Sequence, residues 1–373
     1  MNKIEKMVHE MCPNGVEYKP LITVAEIVRG ERITKSDLIE NGSYPVMSGG
    51  TSYFGRYDKS NRKANTITIA QYGSAGFVSY IKEDFWANDV CYCVLPKNYI
   101  NNKFLYYVLH SKQNKIYSLT TKAVPDCLPK EKLGDIKIPC PPMEIQLVIV
   151  SYLDHMTELE AELEAELEAR KIQYEFYRDK LLRFEDEGKV VWKTLDGKNG
   201  IAKIVGGKDY KSFGNGSVPI YGSGGIMGHC DKAAYEKPTV LIPRKGSIAN
   251  IFYVDKPFWN IDTIFYTQIN EKLVTPKFLY HWLCNYHVER LNTSDAARPA
   301  LTREVLKDIP IPVPPLSIQN RIVEVLDNFD AICTDLSIGL PAEQKARKEQ
   351  YEYYRDKLLS FDKESPHTHT HNK

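Results

Sequence analysis

Two short segments, 173 residues apart, carry side chains whose chemistry suits the recognition of nucleic-acid bases. Gln71-Tyr72-Gly73-Ser74 follows the β-branched run Thr66–Ala70, and Arg244-Lys245-Gly246-Ser247 follows the matching run Thr239–Pro243. A glutamine can pair with adenine, and arginine or lysine can contact a guanine edge or a phosphate. Because each segment has a glycine directly after a probable strand, the pattern predicts an exposed turn at both places.

Each of these turns belongs to a set of candidate contact residues in its half of the chain. The candidates are Ser48, Gln71, Tyr72, Ser74 and Lys122 in the first half, and Ser223, Arg244, Lys245, Ser247 and Arg298 in the second. For each residue the alternative is an ordinary solvated loop side chain. The loops differ between the halves while their surroundings match, as expected of two readers of different half-sites.

The sequence contains no recognisable catalytic motif. It lacks the Asn/Asp-Pro-Pro-aromatic motif of DNA methyltransferases and the glycine-rich loop ending in Gly-Lys-Ser/Thr that holds nucleotide phosphates. Asp126 and Asp135 superficially match a metal-dependent nuclease pattern, but the second half has Ala300 in place of the first acid. The eight cysteines form no Cys-x-x-Cys pair. We therefore predict a non-catalytic protein without a cofactor or metal site.

An internal repeat positions these loops. Residues 1–142 (lobe 1) and 188–315 (lobe 2) share motifs at offsets of 173 to 175 residues, including Tyr44–Gly50 with its match and Phe85-Trp86 with Phe258-Trp259. Each lobe precedes a helical segment, 143–187 or 316–361, and the tail 362–373 is expected to be disordered. The repeat predicts an α+β fold with two mixed α/β domains in tandem.

The helical segments show the spacing of a coiled coil. The first predicts a helix over Met143–Phe184, roughly 60 Å long. Its stripe is Ile145, Ile149, Tyr152, Met156, Leu159, Leu163, Leu167, Arg170, Tyr174, Tyr177, Leu181 and Phe184. The second stripe is Ile318, Ile322, Val325, Phe329, Ile332 and Leu336, and a break is predicted at Ser337–Pro341 because proline cannot continue a helix. We expect two antiparallel helices with a lobe at each end, related by a pseudo-two-fold axis.

Both helical segments end in aromatic clusters that exceed what one seam can bury. These are Tyr174, Phe176 and Tyr177 in the first segment and Tyr351, Tyr353 and Tyr354 in the second. They are candidate anchors for protein partners, since aromatic residues are enriched at interfaces. The equal alternative is that they pack on the adjacent lobe.

The charges are segregated, although the formal net charge is only +1. Residues 1–145 carry 19 Lys and Arg against 15 Asp and Glu, and residues 188–318 carry 17 against 11. The helical parts, 146–187 and 319–373, carry 5 against 12 and 8 against 10. Basic lobes on acidic helices fit a polyanionic partner, whereas the alternative is a solvated glutamate-rich helix surface. The sequence shows neither a membrane-length apolar run nor a signal-peptide core, which predicts a cytoplasmic protein without membrane partners.

Over essentially its whole length the chain resembles the specificity subunits of type I restriction-modification systems. The resemblance rests on the repeated Ile-x-Ile-Pro-x-Pro-Pro-x-x-x-Gln motif ending at Gln146 and Gln319, and on the near-identical helix ends Gln173–Phe184 and Gln350–Phe361. It implies that the lobes are target-recognition domains, each reading one half of a bipartite double-stranded DNA target. It also implies that the helix pair sets the gap and docks two methyltransferase subunits, joined by restriction-translocase subunits.

Two other functions remain open on the sequence. One is a coiled-coil scaffold that binds two protein partners through its basic lobes and does not bind DNA. The other is a specificity subunit of a system that only methylates.

Overall fold

The structure, a computed structural model, describes residues 3–121, 124–184, 190–292 and 299–361. The chain divides into two compact units, Met1–Leu163 with Gln344–Lys373 and Glu164–Glu343. Each unit therefore holds one lobe and part of both helical segments, whereas the boundaries predicted from the sequence kept the helices apart from the lobes. None of the helices in the described ranges is long and apolar enough to cross a membrane.

Lobe 1 consists of short strands and short helices, and the long helix α6 follows it. Its elements are α1 (Lys3–Met11), β1 (Tyr18–Pro20), α2 (Leu21–Val24), β2 (Ala25–Arg29), β3 (Tyr44–Met47), β4 (Gly55–Tyr57), β5 (Thr66–Ala70), β6 (Val78–Ile81), β7 (Trp86–Ala87), β8 (Cys91–Pro96), α3 (Asn102–Ser111), α4 (Gln113–Ser118), α5 (Lys130–Gly134) and β9 (Lys137–Pro139), followed by α6 (Met143–Leu181). All five residues of β5 are buried, as β-branched side chains in a central strand allow.

The strands of lobe 1 form three sheets. The largest has the order β2-β8-β5-β6 with every pair antiparallel, the second has the order β4-β3-β7 with β3 and β7 parallel, and β1 pairs with β9. The last residue of β5, Ala70, pairs with Cys91 at the start of β8. The turn that follows β5 therefore lies at that end of the main sheet.

Lobe 2 repeats this arrangement. Its elements are β10 (Val191–Thr194), β11 (Ala202–Gly206), β12 (Val218–Gly222), β13 (Gly225–Cys230), β14 (Thr239–Pro243), β15 (Phe252–Val254), β16 (Trp259–Asn260), β17 (Ile264–Ile269), α7 (Pro276–Tyr286), α8 (Arg303–Lys307) and β18 (Pro310–Val313). The sheets β11-β17-β14-β15, β13-β12-β16 and β10-β18 match those of lobe 1 strand for strand. The tandem duplication predicted from the sequence is confirmed.

Helix α6 begins at Met143 as predicted and ends at Leu181, three residues before the predicted end. The second helical segment forms α9 (Leu316–Thr334) and α10 (Leu340–Ser360). In the first unit the rings of Tyr152 and Tyr354 are 6.0 Å apart, and in the second Tyr174 and Tyr177 pack on Phe329 at 6.0 and 5.7 Å. Within the first unit Glu160 also lies near Lys348, and within the second Leu181 and Ile322 line one pocket, so in each unit higher-numbered residues of α6 meet lower-numbered residues of the second segment and the helices are antiparallel.

The break in the second segment lies at residues 335–339, and the prediction that Pro341 causes it is wrong. Pro341 is the second residue of α10, where a helix needs no backbone N–H from it. The break is made by Asp335, whose carboxylate accepts from the N–H of Ser337 at 2.7 Å and of Ile338 at 3.2 Å. A Cβ atom at Gly339 would lie 2.4 Å from the carbonyl oxygen of Ala331, so the chain requires glycine there.

The predicted coiled-coil seam is partly wrong. On α6, Ile145 and Ile149 are fully buried, but Leu153 replaces the exposed Tyr152 as the next core position. On α9 the predicted Ile318, Val325, Ile332 and the following Leu336 are exposed, and the buried residues are Gln319, Ile322, Leu326 and Cys333. The reason is that these helices pack on a lobe as well as on each other. The buried residues therefore lie about one position after the predicted ones.

A buried glutamine joins each lobe to the helix that follows it. The side chain of Gln146 accepts from the N–H of Asn101 at 2.7 Å and donates to the carbonyl oxygens of Tyr99 at 3.0 Å and Pro141 at 2.8 Å. In the second repeat Gln319 bonds to the backbone of Thr275, Leu273 and Pro314 in the same way, each at 2.8 Å. These bonds fix the Pro-Pro-x-x-x-Gln motif against the start of α3 or α7.

An aspartate about two turns further along each helix repeats the connection. Asp154 accepts from Lys103 at 2.7 Å and from the hydroxyl of Tyr107. Asp327 pairs with Lys277 and lies 2.9 Å from the imidazole Nε2 of the buried His281. Each lobe is therefore held to its own helix by a duplicated set of polar contacts.

Candidate nucleic-acid interface

The candidate residues of lobe 1 lie where three chain segments converge at the end of β5. The N–H of Ser74 donates to the carbonyl oxygen of Gly49 at 2.7 Å, which joins the turn after β5 to the loop after β3. The N–H of Leu128 donates to the carbonyl oxygen of Gln71 at 2.9 Å, and Tyr72 and Cys127 form an isolated β-bridge. The structure thus brings together residues that are up to 80 positions apart in the sequence.

Lobe 2 assembles the same three segments and repeats the backbone pairing between the turn and the third segment, whereas the bond from Ser74 to Gly49 has no backbone counterpart among its described residues. The N–H of Leu301 donates to the carbonyl oxygen of Arg244 at 2.8 Å, and Lys245 forms an isolated β-bridge with Ala300. Gly246 has a φ of 82° and lies so near Ser223 that a Cβ atom there would be 3.1 Å from the serine hydroxyl. The bridges Tyr72–Cys127 and Lys245–Ala300 are equivalent, so Cys127 corresponds to Ala300 at an offset of 173 residues.

The side chains at equivalent positions point in different directions. Gln71 is only 3% exposed, its amide nitrogen lies 3.9 Å from the Cys127 sulfur, and its amide oxygen has no hydrogen-bond partner among the described residues. Arg244 and Lys245 are both exposed, and within the described ranges no carboxylate forms an ion pair with either. The turn of lobe 2 therefore presents two cations to solvent, whereas the turn of lobe 1 keeps its glutamine inside.

The other candidates are placed less distinctively. Ser48, Tyr72, Ser74 and Ser223 are half-buried and Ser247 is exposed. The contact between the Tyr72 hydroxyl and the Cys127 thiol raises the pKa of Tyr72. Lys122 and Arg298, predicted as DNA contacts, lie outside the described residues, as does the predicted disordered tail.

Arg29 lies beside the candidate residues of lobe 1, although sequence reasoning did not select it. It is the last residue of β2, its side chain is exposed, and its guanidinium carbon lies 5.8 Å from the centre of the Tyr92 ring. A hydrogen bond to Tyr92 and the nearby Tyr72 and Cys127 raise the pKa of Arg29. The available signal was the alignment of Val28-Arg29-Gly30 with Val205-Gly206-Gly207, where only lobe 1 has a charge.

The aromatic residues predicted as partner anchors separate into three pairs. Tyr174 and Tyr351 face the lobes, and burial raises the pKa of Tyr351 to about 12. Tyr177 stacks on Phe329, and Tyr354 contacts Tyr152. Phe176 and Tyr353, which occupy equivalent positions of the repeat, are 60% and 62% exposed.

Comparison with known proteins gives a consistent result. The family model described as the type I restriction modification DNA specificity domain matches residues 13–169 and again residues 181–345. A putative type I restriction enzyme specificity subunit of Haemophilus influenzae is 32% identical, with 93% of this chain and 96% of the relative covered. A type I restriction enzyme specificity subunit of Escherichia coli is 31% identical, with 97% and 98% covered.

Solved structures share the fold. The crystal structure of the S subunit of a type I restriction-modification system from M. genitalium has a TM-score of 0.64 at 23% identity, covering 93% of this chain and 95% of that one. A second structure, described as showing complex assembly and conformational transition of the type I system, has a TM-score of 0.58 at 17% identity over 93% and 98%.

Proposed function

Because this chain belongs to the type I restriction modification DNA specificity family, we propose that each lobe reads one half of a bipartite, gapped target in double-stranded DNA. One observation carries the proposal. In both lobes an equivalent backbone bond and β-bridge hold the turn after β5 or β14 against the same third segment, yet the two turns present different side chains. A backbone arrangement that recurs in both lobes but carries different side chains suits the direct readout of two different base sequences.

The charge of the lobes supports this function. Lobe 2 presents Arg244 and Lys245 without competing carboxylates among the described residues, so both are available to base edges or phosphates. Such cations supply the salt-dependent part of DNA affinity as well as specific contacts. The scaffold alternative predicts that the assembled complex shows no salt-sensitive binding to duplex DNA.

The helices are proposed to set the gap between the half-sites. Deleting Leu163–Glu166 would shorten α6 by roughly 6 Å. Since DNA rises about 3.4 Å per base pair, the gap should shrink by one or two base pairs while both half-site sequences stay the same. An unchanged gap in the variant would exclude this role of the helices.

The helices are also proposed to dock two methyltransferase subunits, with restriction-translocase subunits joining the same assembly. The exposed Phe176 and Tyr353 are the anchors favoured by their placement, because Tyr174 and Tyr351 are engaged by the lobes. The equivalent positions of Phe176 and Tyr353 suit two copies of one partner. Phe176→Ala and Tyr353→Ala should each weaken retention of one methyltransferase copy, and Ile39→Ala, an exposed residue of lobe 1, is the control.

The central experiment is co-expression with methyltransferase subunits, followed by mapping of methylated adenines in genomic DNA. The expected result is a single motif with two defined halves and a fixed gap. A stable complex that methylates no site would contradict the proposal and favour the scaffold alternative. A system that methylates without restricting DNA would retain the recognition function and remove only the restriction-translocase partner.

A further inference from the structure

The two lobes place an arginine over the same aromatic position. Tyr92 in β8 and Phe265 in β17 occupy equivalent places in the two main sheets. The guanidinium of Arg29 lies 5.8 Å from the centre of the Tyr92 ring, and that of Arg244 lies 5.7 Å from the centre of the Phe265 ring. The arginines themselves are not equivalent in the repeat, since Arg29 ends β2 and Arg244 follows β14.

Strand pairing explains how both arginines reach the same ring position. In lobe 1 the central strand β8 has β2 on one side and β5 on the other, and Tyr92 pairs with Arg29 in β2 and with Ile69 in β5. In lobe 2 the equivalent Phe265 pairs with Gly206 and with Ile242. The arginine therefore reaches the ring from β2 in lobe 1 and from the turn after β14 in lobe 2.

In each lobe, the position that supplies the arginine in the other lobe holds a residue that cannot take its place. Gln71, the counterpart of Arg244, is buried beneath Cys127. Gly206, the counterpart of Arg29, has no side chain. Among the described residues, each lobe thus places one arginine over this ring, and the two lobes supply it from different sequence positions.

Arg29 also lies at the edge of a basic surface. It lines a groove with Lys97 and Lys130, both exposed, and with one acid, Glu26. On its other side, Arg29 is close enough to Tyr72 for the two side chains to interact electrostatically. It therefore joins the groove to the three-segment site of lobe 1.

We propose that Arg29 reads a guanine in the half-site bound by lobe 1, the role that Arg244 has in lobe 2. The inference rests on the proposed function and specifies one base contact within it. Stacking on Tyr92 orients the planar guanidinium, and an oriented fork of donors suits the N7 and O6 acceptors of guanine. Gln71 then acts as a buried residue of the turn and not as a reader of adenine.

The test uses the full chain assembled with its methyltransferase subunits and a duplex carrying the mapped target. Affinity is measured for the normal duplex and for duplexes in which each guanine is replaced singly by 7-deazaguanine, which lacks N7. The variants are Arg29→Ala, Arg29→Lys and Arg244→Ala. The control Lys82→Ala removes an exposed charge just after β6, at the opposite end of the sheet from Arg29.

The expected result is a loss of about tenfold or more in affinity for Arg29→Ala and none for Lys82→Ala. The wild-type complex should respond to 7-deazaguanine at one position in each half-site, and Arg29→Ala should abolish the response in one half and Arg244→Ala in the other. Arg29→Lys should keep part of the affinity but lose the response, because lysine has the charge without the fork.

Three results would overturn the inference. They are unchanged affinity of Arg29→Ala, a response of the Arg29→Ala complex identical to that of the wild type, and a half-site without a sensitive guanine. Failure of the proposed function looks different, because the wild-type complex would then bind no specific duplex at all.

Discussion

The two lobes have nearly the same backbone at the site where they differ most in side chains. The N–H of Leu128 bonds to Gln71 and that of Leu301 bonds to Arg244, so the two turns share the backbone bond to the third segment, although only the turn of lobe 1 also bonds to the loop that contains Gly49. The turn of lobe 1 is uncharged and buries its glutamine, whereas the turn of lobe 2 exposes two cations. Because backbone hydrogen bonds do not depend on side-chain identity, a duplicated frame tolerates new side chains without refolding.

On the side of each lobe that faces the helices, the two repeats keep the same side chains. There the side chains themselves form the connection, and Gln146 and Gln319 are both fully buried and fully bonded. Losing either would leave buried backbone groups without partners, which costs more than the bond contributes. This explains why the Pro-Pro-x-x-x-Gln motif is the same in both repeats while the turns are not.

The largest expected difference between the lobes concerns two equivalent glycines. A Cβ atom at Gly49 would lie 2.4 Å from the carbonyl oxygen of Tyr72, whereas one at Gly224 would meet nothing within 4 Å. We expect Gly49→Ala to lower the free energy of unfolding by about 3 kcal/mol because the backbone must shift. Gly224→Ala should change it little, and denaturant titration of both variants measures the difference. Equal effects would contradict the local geometry of the two turns.

Arg244→Ala removes the exposed cation that distinguishes the turn of lobe 2. Loss of one base-reading arginine should weaken binding of the assembled complex to its target by about 2 kcal/mol and relax one position of one half-site. The matched control is Lys272→Ala, because Lys272 is exposed and lies beyond the end of β17 that is remote from Arg244. Binding to the target and to singly substituted duplexes measures both effects, and unchanged affinity would remove Arg244 from the interface.

An ion pair in lobe 2 has no counterpart in lobe 1. The buried Asp196 accepts from Arg303 at 2.8 and 2.9 Å and from the N–H of Gly197 and Ile204, while the matching residues of lobe 1 are Ile22 and Lys130. Burial alone would raise the pKa of Asp196, but these donors outweigh it and lower the pKa.

Asp196→Asn should therefore lower the free energy of unfolding by about 1.5 kcal/mol at pH 7. A lowered pKa in the folded state means that the stabilisation is present above the ordinary aspartate value of about 4 and is lost as pH falls through the folded-state pKa. Denaturant titrations of wild type and variant at several pH values should converge toward pH 3. A difference that stays constant with pH would show that the charge of Asp196 does not contribute.

The smallest expected effect comes from the hairpin tips beside the turns. Ile226 and Met227 of lobe 2 are 57% and 53% exposed, and the strand register places Tyr53 and Phe54 at the equivalent positions of lobe 1, where the tip is two residues longer and adds the polar Thr51 and Ser52. Exposed apolar side chains at the hairpin tip of lobe 2 suit the methyl group of thymine, the apolar feature of the major groove. Replacing Ile226→Thr and Met227→Ser together should cost about 1 kcal/mol in binding.

The measurement for this pair is a comparison of thymine with deoxyuridine in the half-site of lobe 2. The wild-type complex should bind the deoxyuridine duplex more weakly, and the doubly substituted complex should not distinguish the two. Thr51→Ala in lobe 1 provides the reference for an exposed tip residue. Equal binding of both duplexes by the wild-type complex would exclude a methyl contact.

Local patterns in the sequence determined the repeat, the buried strands β5 and β14 and the start of α6 at Met143. Each depends on features within a few residues, such as β-branched runs, proline pairs and apolar spacing, and each was predicted correctly. The same motifs also marked the three segments that carry candidate residues, but their convergence came only from the structure.

Only the tertiary structure decided which side chains face outward at the site and on the helices. Gln71 and Arg244 have the same place in the repeat, yet one is buried against Cys127 and the other covers Phe265. Arg29 enters the site from a strand that lies next to Tyr92 only because the sheet pairs β2 with β8. The helix seam shifted in the same way, since a lobe covers one face of α9. Side-chain direction depends on neighbours that are distant in the chain, and no local pattern encodes them.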